Sequence, residues 1–467
     1  MKRYIRSTLV PLAPLLLLCL YGNATAEPST PIQFGTPSHP FAADSPWNIR
    51  PVNPVLGDAE IPTSDYFPAI GPGPYSTKSF IGNSDAPAQE VLGAKGKRDI
   101  WDYNQGVQRA VTIEHWPADL TPATGSDGHA DIAELDTGML HSFWQLRRAG
   151  QGWTAVGYGW TRLSGRGWGD PADFYQGTRA VGIPSSAGLI RRDEIDDGQP
   201  IYRHALAMSL TYNGLARSPA YIYPATAADH DAQLNSGKIP EGALLMLPPT
   251  YDTSKIASQK LRKVAETLKV YGAYVVDRNV GTPFYIYVEN GSDFNPHSKG
   301  WNVEAANELQ RMRAALRQVV SAKGWLDGHG KPMTPQRPTN LLSLRGPWRG
   351  EGNRYDSNND QLAIDAGASA RSTALRDISR VNWAAPRSGA RCRFSVQATG
   401  GATLRLQVRS ADYSRQLFDT GELADGAGAT LPCPTGPARY DLSATGGPSA
   451  GTVRATMAVQ DDSTFHP

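Results

Sequence analysis

Cysteine is almost absent from this sequence. Of three in 467 residues, Cys19 lies in the N-terminal apolar stretch, which leaves only Cys392 and Cys433. Neither has a histidine beside it, and two thiols alone make a poor zinc site. In an oxidising compartment they are expected to form one disulfide that staples a single small domain. Long apolar runs are missing as well. Beyond the first 26 residues nothing approaches the ~18 uninterrupted apolar residues of a membrane span, so no integral membrane association is expected after that point. Charge of one sign is also lacking. Lysine and arginine number 46 against 44 acidic residues, which argues against nucleic acid as a partner because phosphate binding rests on concentrated positive charge. There is no Gly-x-Ser-x-Gly elbow, no His-Glu-x-x-His, no phosphate loop and no dinucleotide fingerprint, so no metal or cofactor is expected. No repeat of fixed period is evident, which disfavours a solenoid or propeller.

What is present begins with an export signal. Lys2, Arg3 and Arg6 precede an apolar stretch over 9–21, and Ala24-Thr25-Ala26 supplies small residues where a signal peptidase reads. Cleavage after Ala26 is expected, with delivery to a bacterial periplasm or the medium. A lipid anchor on Cys19 is disfavoured by the bulky Leu18 before it. The remaining ~440 residues exceed what one ordinary core organises, so two domains are expected. Forty-seven glycines, 36 prolines, 19 tyrosines and 11 tryptophans beside only 19% charged residues suit a turn-rich, mainly β chain.

The apolar pattern divides that chain. Residues 27–81, rich in Pro, Gly and Ser, read as an extended segment wrapped over a core, with 41–48 as its anchor. Alternating runs at 110–115, 129–135, 139–146, 153–158, 204–212, 220–223 and 243–247 read as strands. Ile256, Leu261, Val264, Leu268 and Tyr271 share a helical face, with Ser254 as a cap and Gly272 past the end. Strands at 273–277 and 284–288 follow. A second helix is predicted from cap Asn302 through Leu309, Met312, Leu316 and Val319 or Val320 to a stop at Gly324. The expected architecture is a β-sandwich or jelly-roll-like main domain with two packed helices at 27–330, a linker at 331–352 and a small C-terminal β-sandwich at 353–467.

The densest polar cluster runs from Ser126 to His141. If Asp136-Thr137-Gly138 forms a three-residue hairpin loop, Ala133 opposes His141 and Asp131 opposes Phe143. His129, Asp131 and His141 then stand on one face, while a loop one residue longer or shorter splits them. Two imidazoles around a carboxylate suit acid/base work, and a polar solvent face is the plain alternative. A second cluster, Arg191, Asp193, Glu194 and His204, lies where a loop or short helix meets a strand. His204 in an apolar strand is more often a satisfied structural group than a catalyst. Trp101, Tyr103, Trp116, Trp144, Trp153, Tyr158, Trp160 and Trp168 form a third signal, since aromatic faces stack on sugar rings. Core packing explains any one of them equally well.

The motifs Asp127-Gly128-His129, Gly188-Leu189-Ile190-Arg191-Arg192-Asp193-Glu194-Ile195, His204-Ala205-Leu206 and Tyr271-Gly272-Ala273-Tyr274-Val275-Val276-Asp277 stand in this order within residues 40–295. In them the chain resembles a widespread, largely uncharacterised group of secreted bacterial proteins. That resemblance singles out Asp127, His129, Glu194 and His204, implies no reaction, and stops short of the C-terminal domain.

A secreted, tryptophan-rich β chain with an appended sandwich is a common plan for enzymes that cut polysaccharides, by analogy of architecture alone. Hydrolysis needs two carboxylates about the scissile bond, and Asp127, Asp131 and Glu194 are the candidates. Elimination on a uronic-acid polymer instead needs a base such as His129 or His204, a donor such as Tyr158 and a cation such as Arg191. His141 belongs with the acid/base candidates, and Trp144, Tyr158, Trp160 and Arg191 with the substrate-binding ones. A non-catalytic glycan-binding or surface protein is the alternative of a different class. It predicts that His129, Asp131, His141 and His204 lie far apart.

Overall fold

Short alternating runs separated by turn residues build sheets, and the computed structural model bears out the mainly β class with 38% strand against 8% helix. It describes residues 32–104, 107–169, 175–297, 300–335, 344, 346–350, 354–357, 362–372, 389–433 and 438–460. The expected signal peptide, residues 1–26, and residues 336–343 of the expected linker lie outside the described residues.

The N-terminal part supplies strands β1 (Arg50–Leu56), β2 (Ala69–Gly71), β3 (Ser79–Gly82), β4 (Gln89–Gly93), β5 (Ile100–Asp102), β6 (Val107–Arg109) and β7 (Val111–Ile113). Then come β8 (Ala130–Glu134), β9 (Met139–Trp144), β10 (Arg147–Ala149), β11 (Gly152–Ala155), β12 (Gly157–Arg162), β13 (Leu206–Thr211) and β14 (Leu244–Met246). Helix α1 (Gln259–Val270), β15 (Ala273–Asn279), β16 (Phe284–Tyr287), α2 (Val303–Ala315), β17 (Arg317–Leu326) and β18 (Pro332–Met333) complete this part.

Three sheets stack face to face. The first has the order β1-β17-β14-β15-β13-β16-β2, with β18 on β17; the second is β3-β8-β9-β12-β5-β6; the third is β10-β11-β4-β7. Alternation along each strand assigns the layers. On β13 and β15, Leu206, Met208, Leu210, Ala273 and Val275 pack with Leu261, Val264 and Leu268 of α1 and Leu309 and Met312 of α2. Their alternates Ala205, Ala207, Tyr274 and Val276 face Ala133 and Leu140 of the second sheet. On the other face of that sheet Ala130, Ile132 and Phe143 meet Val91, Val111 and Trp153 of the third. The order is therefore helices, sheet, sheet, sheet.

The N-terminal segment is anchored where the sequence places its anchor. Phe41 and Trp47 are buried, and Trp47 stacks on Trp168 at 5.3 Å between ring centres. Gly188 permits this. At φ +69° it sits so close that a Cβ there would lie 2.3 Å from the Trp47 ring.

Helix boundaries differ from the expectation for local reasons. Ser258 caps α1, its hydroxyl accepting from Leu261 N at 3.3 Å, a contribution of about 1 kcal/mol. Ser254 is not the cap because Asp252 already engages its backbone N–H and its hydroxyl, at 3.0 and 2.6 Å. Asn302 caps α2 as expected, but the helix ends at Ala315 and the chain turns straight into β17. Val319 and Val320 are β-branched, and antiparallel pairing with β1 supplies the partner that draws them into a strand.

Ten further strands make the C-terminal sandwich: β19 (Gly346–Gly350), β20 (Arg354–Ser357), β21 (Leu362–Ile364), β22 (Ser369–Ser372), β23 (Arg391–Ala398), β24 (Thr403–Ser410), β25 (Gln416–Asp419), β26 (Gly428–Pro432), β27 (Ala438–Thr445) and β28 (Gly451–Val459). One sheet runs β20-β19-β22-β27-β24-β25 and the other β21-β28-β23-β26, around a core that includes Trp348, Phe394, Leu404, Leu442 and Met457. Cys392 in β23 is bonded to Cys433 just past β26. Of the stretch expected as a linker, 332–333 extends the first sheet and 346–350 is already a strand of this domain.

Candidate active site

The hairpin of β8 and β9 decides where the first polar cluster points. Glu134 pairs with Met139, Ile132 with His141 and Asp131 with Ser142, so the loop is one residue longer than the three expected. Thr137 holds it, donating to Glu134 Oε2 at 2.6 Å and accepting from Met139 N at 3.3 Å, while Gly138 takes the positive φ. Because side chains alternate, that single residue sends His141 to the opposite face from Asp131. The expected trio of His129, Asp131 and His141 is split.

His129 and Asp131 lie in a buried seam between the first two sheets. Asp131 accepts from Ser142 Oγ at 2.6 Å and from Ser186 N at 2.6 Å, which occupies both of its oxygens. Burial raises its pKa against the pull of those hydrogen bonds. His129 Nδ1 is 2.9 Å from Ser185 Oγ, and its Nε2 is 3.9 Å from Asp127 Oδ2. Burial, and then the charge of Arg179, keep its pKa well below the ordinary value, so the ring is neutral. Ser185, His129 and Asp127 have the composition of a nucleophilic triad, but the Ser185 side chain is buried and shared with Thr178 at 3.2 Å. The seam therefore holds the 178–186 loop on the hairpin and offers a substrate no hydroxyl.

On the other face His141 meets Tyr158, with Nδ1 2.8 Å from the phenolic oxygen and Nε2 3.5 Å from Glu134 Oε2. The hydrogen bond from His141 brings Glu134 down to about 2, and burial pushes the Tyr158 phenol up. Tyr158 and Trp160 are core residues between the second and third sheets, together with Trp116 and Trp153. The expectation that Tyr158 and Trp160 contact sugar is corrected by this burial. Trp144 is half-buried, and its indole N–H donates to Asp127 Oδ1 at 3.3 Å.

The second predicted cluster does assemble. In the 3-10 turn Arg192–Glu194, the Glu194 carboxylate accepts from Arg191 N at 3.0 Å, pairs with the Arg191 guanidinium and lies 3.2 Å from His204 Nε2. His204 Nδ1 is 2.8 Å from the carbonyl of Ala205. Arg191 lines a cavity of about 250 Å3 with Ser186, Leu189, Asp193 and Glu289. His39, between the cavity-lining Ser38 and Pro40, is lowered to about 4 by burial and then by the charge of Arg191.

This arrangement makes an acid-dependence prediction. Burial opposes the Glu194 charge, yet Arg191 and His204 bring its pKa from the ordinary 4.5 to about 2. A depressed carboxylate contributes stability that is present above pH 4.5 and lost as pH falls from 4.5 toward 2, here about 3 kcal/mol. His39 acts in the same sense between its ordinary 6.5 and about 4, because the unfolded chain binds its proton first. In urea unfolding at pH 7, 4 and 3, Glu194→Gln is expected to be destabilised at pH 7 and to lose part of the acid dependence below pH 4.5, the rest belonging to carboxylates such as Glu134 that are also held low. An unchanged pH profile refutes the assignment.

A third group was not singled out by its chemistry in the sequence. Asp277, at the C-terminal end of β15, pairs with Arg179 and accepts from Tyr287 Oη at 3.2 Å. Burial raises it, Arg179 holds it down, and the charge of Asp127 pushes it up again. Asp229 is raised to about 6 by burial and then by the negative charge of Asp277. Its side chain keeps 26% exposure and lies 3.9 Å from Arg278, while Asp127 keeps 34%. Behind them the buried Glu241 accepts from Asp229 N at 2.7 Å, and burial raises it well above its ordinary value. Asp127, Asp277 and Asp229 thus form a row of interacting carboxylates, partly open to solvent and flanked by two arginines. Asp277 closes the motif Tyr271–Asp277, and a charge ending an apolar strand could have marked it. Asp229 sits in an irregular loop whose sequence carries no such mark.

No protein-family model matches the chain, and no curated protein sequence matches it. Several solved structures are similar to it in part, among them the following two. The chain is 13% identical to TmCBM61, described in complex with β-1,4-galactotriose, over 26% of its own length and 99% of that chain, with a TM-score of 0.17. It is 14% identical to the CBM22-1-GH10 modules of the Clostridium thermocellum endo-1,4-β-D-xylanase 10B complexed with xylohexaose, over 26% of its own length and 27% of that chain, with a TM-score of 0.15. At TM-scores of this size the likenesses bear on no ligand or reaction of the present chain.

Proposed function

We propose that this chain is an exported glycan-cleaving enzyme that works by hydrolysis at the Asp127–Asp277–Asp229 row. The supporting observation is a partly exposed carboxyl, Asp229, that burial and the charge of Asp277 raise to about 6. Glycoside hydrolysis divides its work between a carboxyl that stays protonated and a carboxylate that stays ionised, and neighbouring charges separate the two. Asp229 fills the first role and protonates the leaving oxygen. Asp127, whose Oδ1 accepts from the Trp144 indole, supplies the base or nucleophile. Asp277 tunes Asp229 while Arg179 keeps it in place. Asp131 and Glu194 do not serve as acids in this scheme, since both oxygens of each are already engaged.

One observation favours elimination as a second reading. Arg191 lines a cavity beside His39, an imidazole left neutral at pH 7, so a cation and a base stand where a uronate could enter. The test is incubation of the purified protein with neutral and uronic-acid polysaccharides, following new reducing ends and the ultraviolet absorbance of unsaturated uronides. Reducing ends alone support hydrolysis, and both signals together support elimination. Binding with neither signal leaves a glycan-binding protein and removes the enzyme reading.

A further inference from the structure

Among the described residues the two most exposed aromatic side chains, Trp301 and Tyr66, lie outside the tryptophan-rich segment, in which Trp101 reaches 36%. Tyr66 is 63% exposed, Phe67 45% and Trp301 64%. Their meeting follows from the sheet. Strands β2 and β16 pair in parallel, so the residues just before each, 66–67 and 280–282, lie at one edge. Tyr66 N donates to Gly281 O at 2.9 Å, and Val280 stands 78% exposed beside it. The Phe67 and Trp301 rings meet edge to face at 5.2 Å, and His297 stacks on Trp301 at 4.8 Å. Asp277 and Asp229, which carry the proposed chemistry, belong to this same end of β15.

Immediately beyond Trp301 lies a cavity of about 710 Å3 between the N-terminal ends of α1 and α2. Carboxylates outnumber cations in its lining, Asp196, Asp293, Glu304 and Glu308 against Lys255, Lys260 and Arg311. Lys260 lies 3.4 Å from Asp196 and 3.2 Å from Asp293, and Arg311 pairs with Glu308. The amides of Gln259, Asn295 and Asn307 also line it, each carrying both donors and acceptors. A lining with more carboxylates than cations does not select an anion, whereas amides and paired carboxylates match the hydroxyls of an uncharged sugar. Trp301 directly precedes Asn302 of this lining, so an indole for a pyranose ring and polar groups for its edge come from adjacent residues.

We infer that the Phe67–Trp301 aromatic cluster and the adjoining cavity form a binding site for a neutral oligosaccharide chain. The inference rests on the glycan reading but not on the acid row. Calorimetric titration with neutral hexaoses of glucose, xylose and mannose, and with oligogalacturonate, tests it in an Asp229→Asn background where cleavage is slowed by about 10²-fold or more. The expected result is binding of at least one neutral hexaose, weakened at least tenfold by Trp301→Ala and largely restored by Trp301→Phe. Equal affinity in Trp301→Ala, binding of oligogalacturonate alone, or no binding of any hexaose overturns it. If the wild-type chain cleaves no glycan while Trp301 still governs hexaose binding, the hydrolase reading fails and this site stands.

Discussion

Replacing Asp229 by asparagine is expected to lower turnover on the cleaved glycan by about 10²- to 10⁴-fold, the usual contribution of a positioned general acid. Asparagine keeps the shape of the side chain, and the backbone N–H of Asp229 that binds Glu241 is untouched, so the fold has no reason to change. The pH profile separates a catalytic loss from a structural one. Asp229 is raised to about 6 and must be protonated to act, so wild-type activity should fall as pH rises through about 6. Asp277→Asn removes the like charge that raises Asp229, and this limb should move to lower pH. If Asp229→Asn retains most of its activity, or if the limb stays put in Asp277→Asn, the row is not the catalytic centre.

Arg179→Met should cause the largest loss of stability, about 3–5 kcal/mol, because it leaves a buried carboxylate without its cation. Arg179 is 2% exposed, pairs with Asp277, donates to the carbonyls of Ser185 and Tyr75 at 3.3 and 3.4 Å, and lies 4.3 Å over the Tyr287 ring. Urea unfolding followed by tryptophan fluorescence, with Trp47 and Trp168 as reporters, measures the loss. Burial already raises Asp277, and Arg179 is what holds it down. Without the arginine its pKa rises further, so the deficit should shrink as pH falls and Asp277 takes up a proton. Arg179→Met combined with Asp277→Asn should recover much of the stability. Equal deficits in the single and double variants show that packing, not the ion pair, is what was lost.

Legibility in the sequence depended on how local each feature is. The cap at Asn302, the positive φ at Gly138, the buried anchors Phe41 and Trp47 and the pairing of the only two downstream cysteines each depend on a few neighbouring residues. The Arg191–Glu194–His204 cluster was partly legible for the same reason, since Arg191 and Glu194 share one turn. Tyr158 and Trp160 were misleading. An indole or phenol suits a sugar and a core equally well, and only the third sheet packed over them settles which. The exposed cluster of Phe67 and Trp301 joins residues more than two hundred positions apart and has no local signature.

By itself, the sequence determined the mainly β class, the two helices, the β-rich C-terminal domain and the disulfide, because apolar period, capping and turn chemistry act over a few residues. Only the tertiary structure decided which face His141 occupies, that Val319 and Val320 extend a strand, and that Asp127, Asp229 and Asp277 share one field. The physical reason is that a one-residue change of register inverts every side chain of a strand, and that a carboxyl's pKa depends on charges and burial supplied by distant parts of the chain.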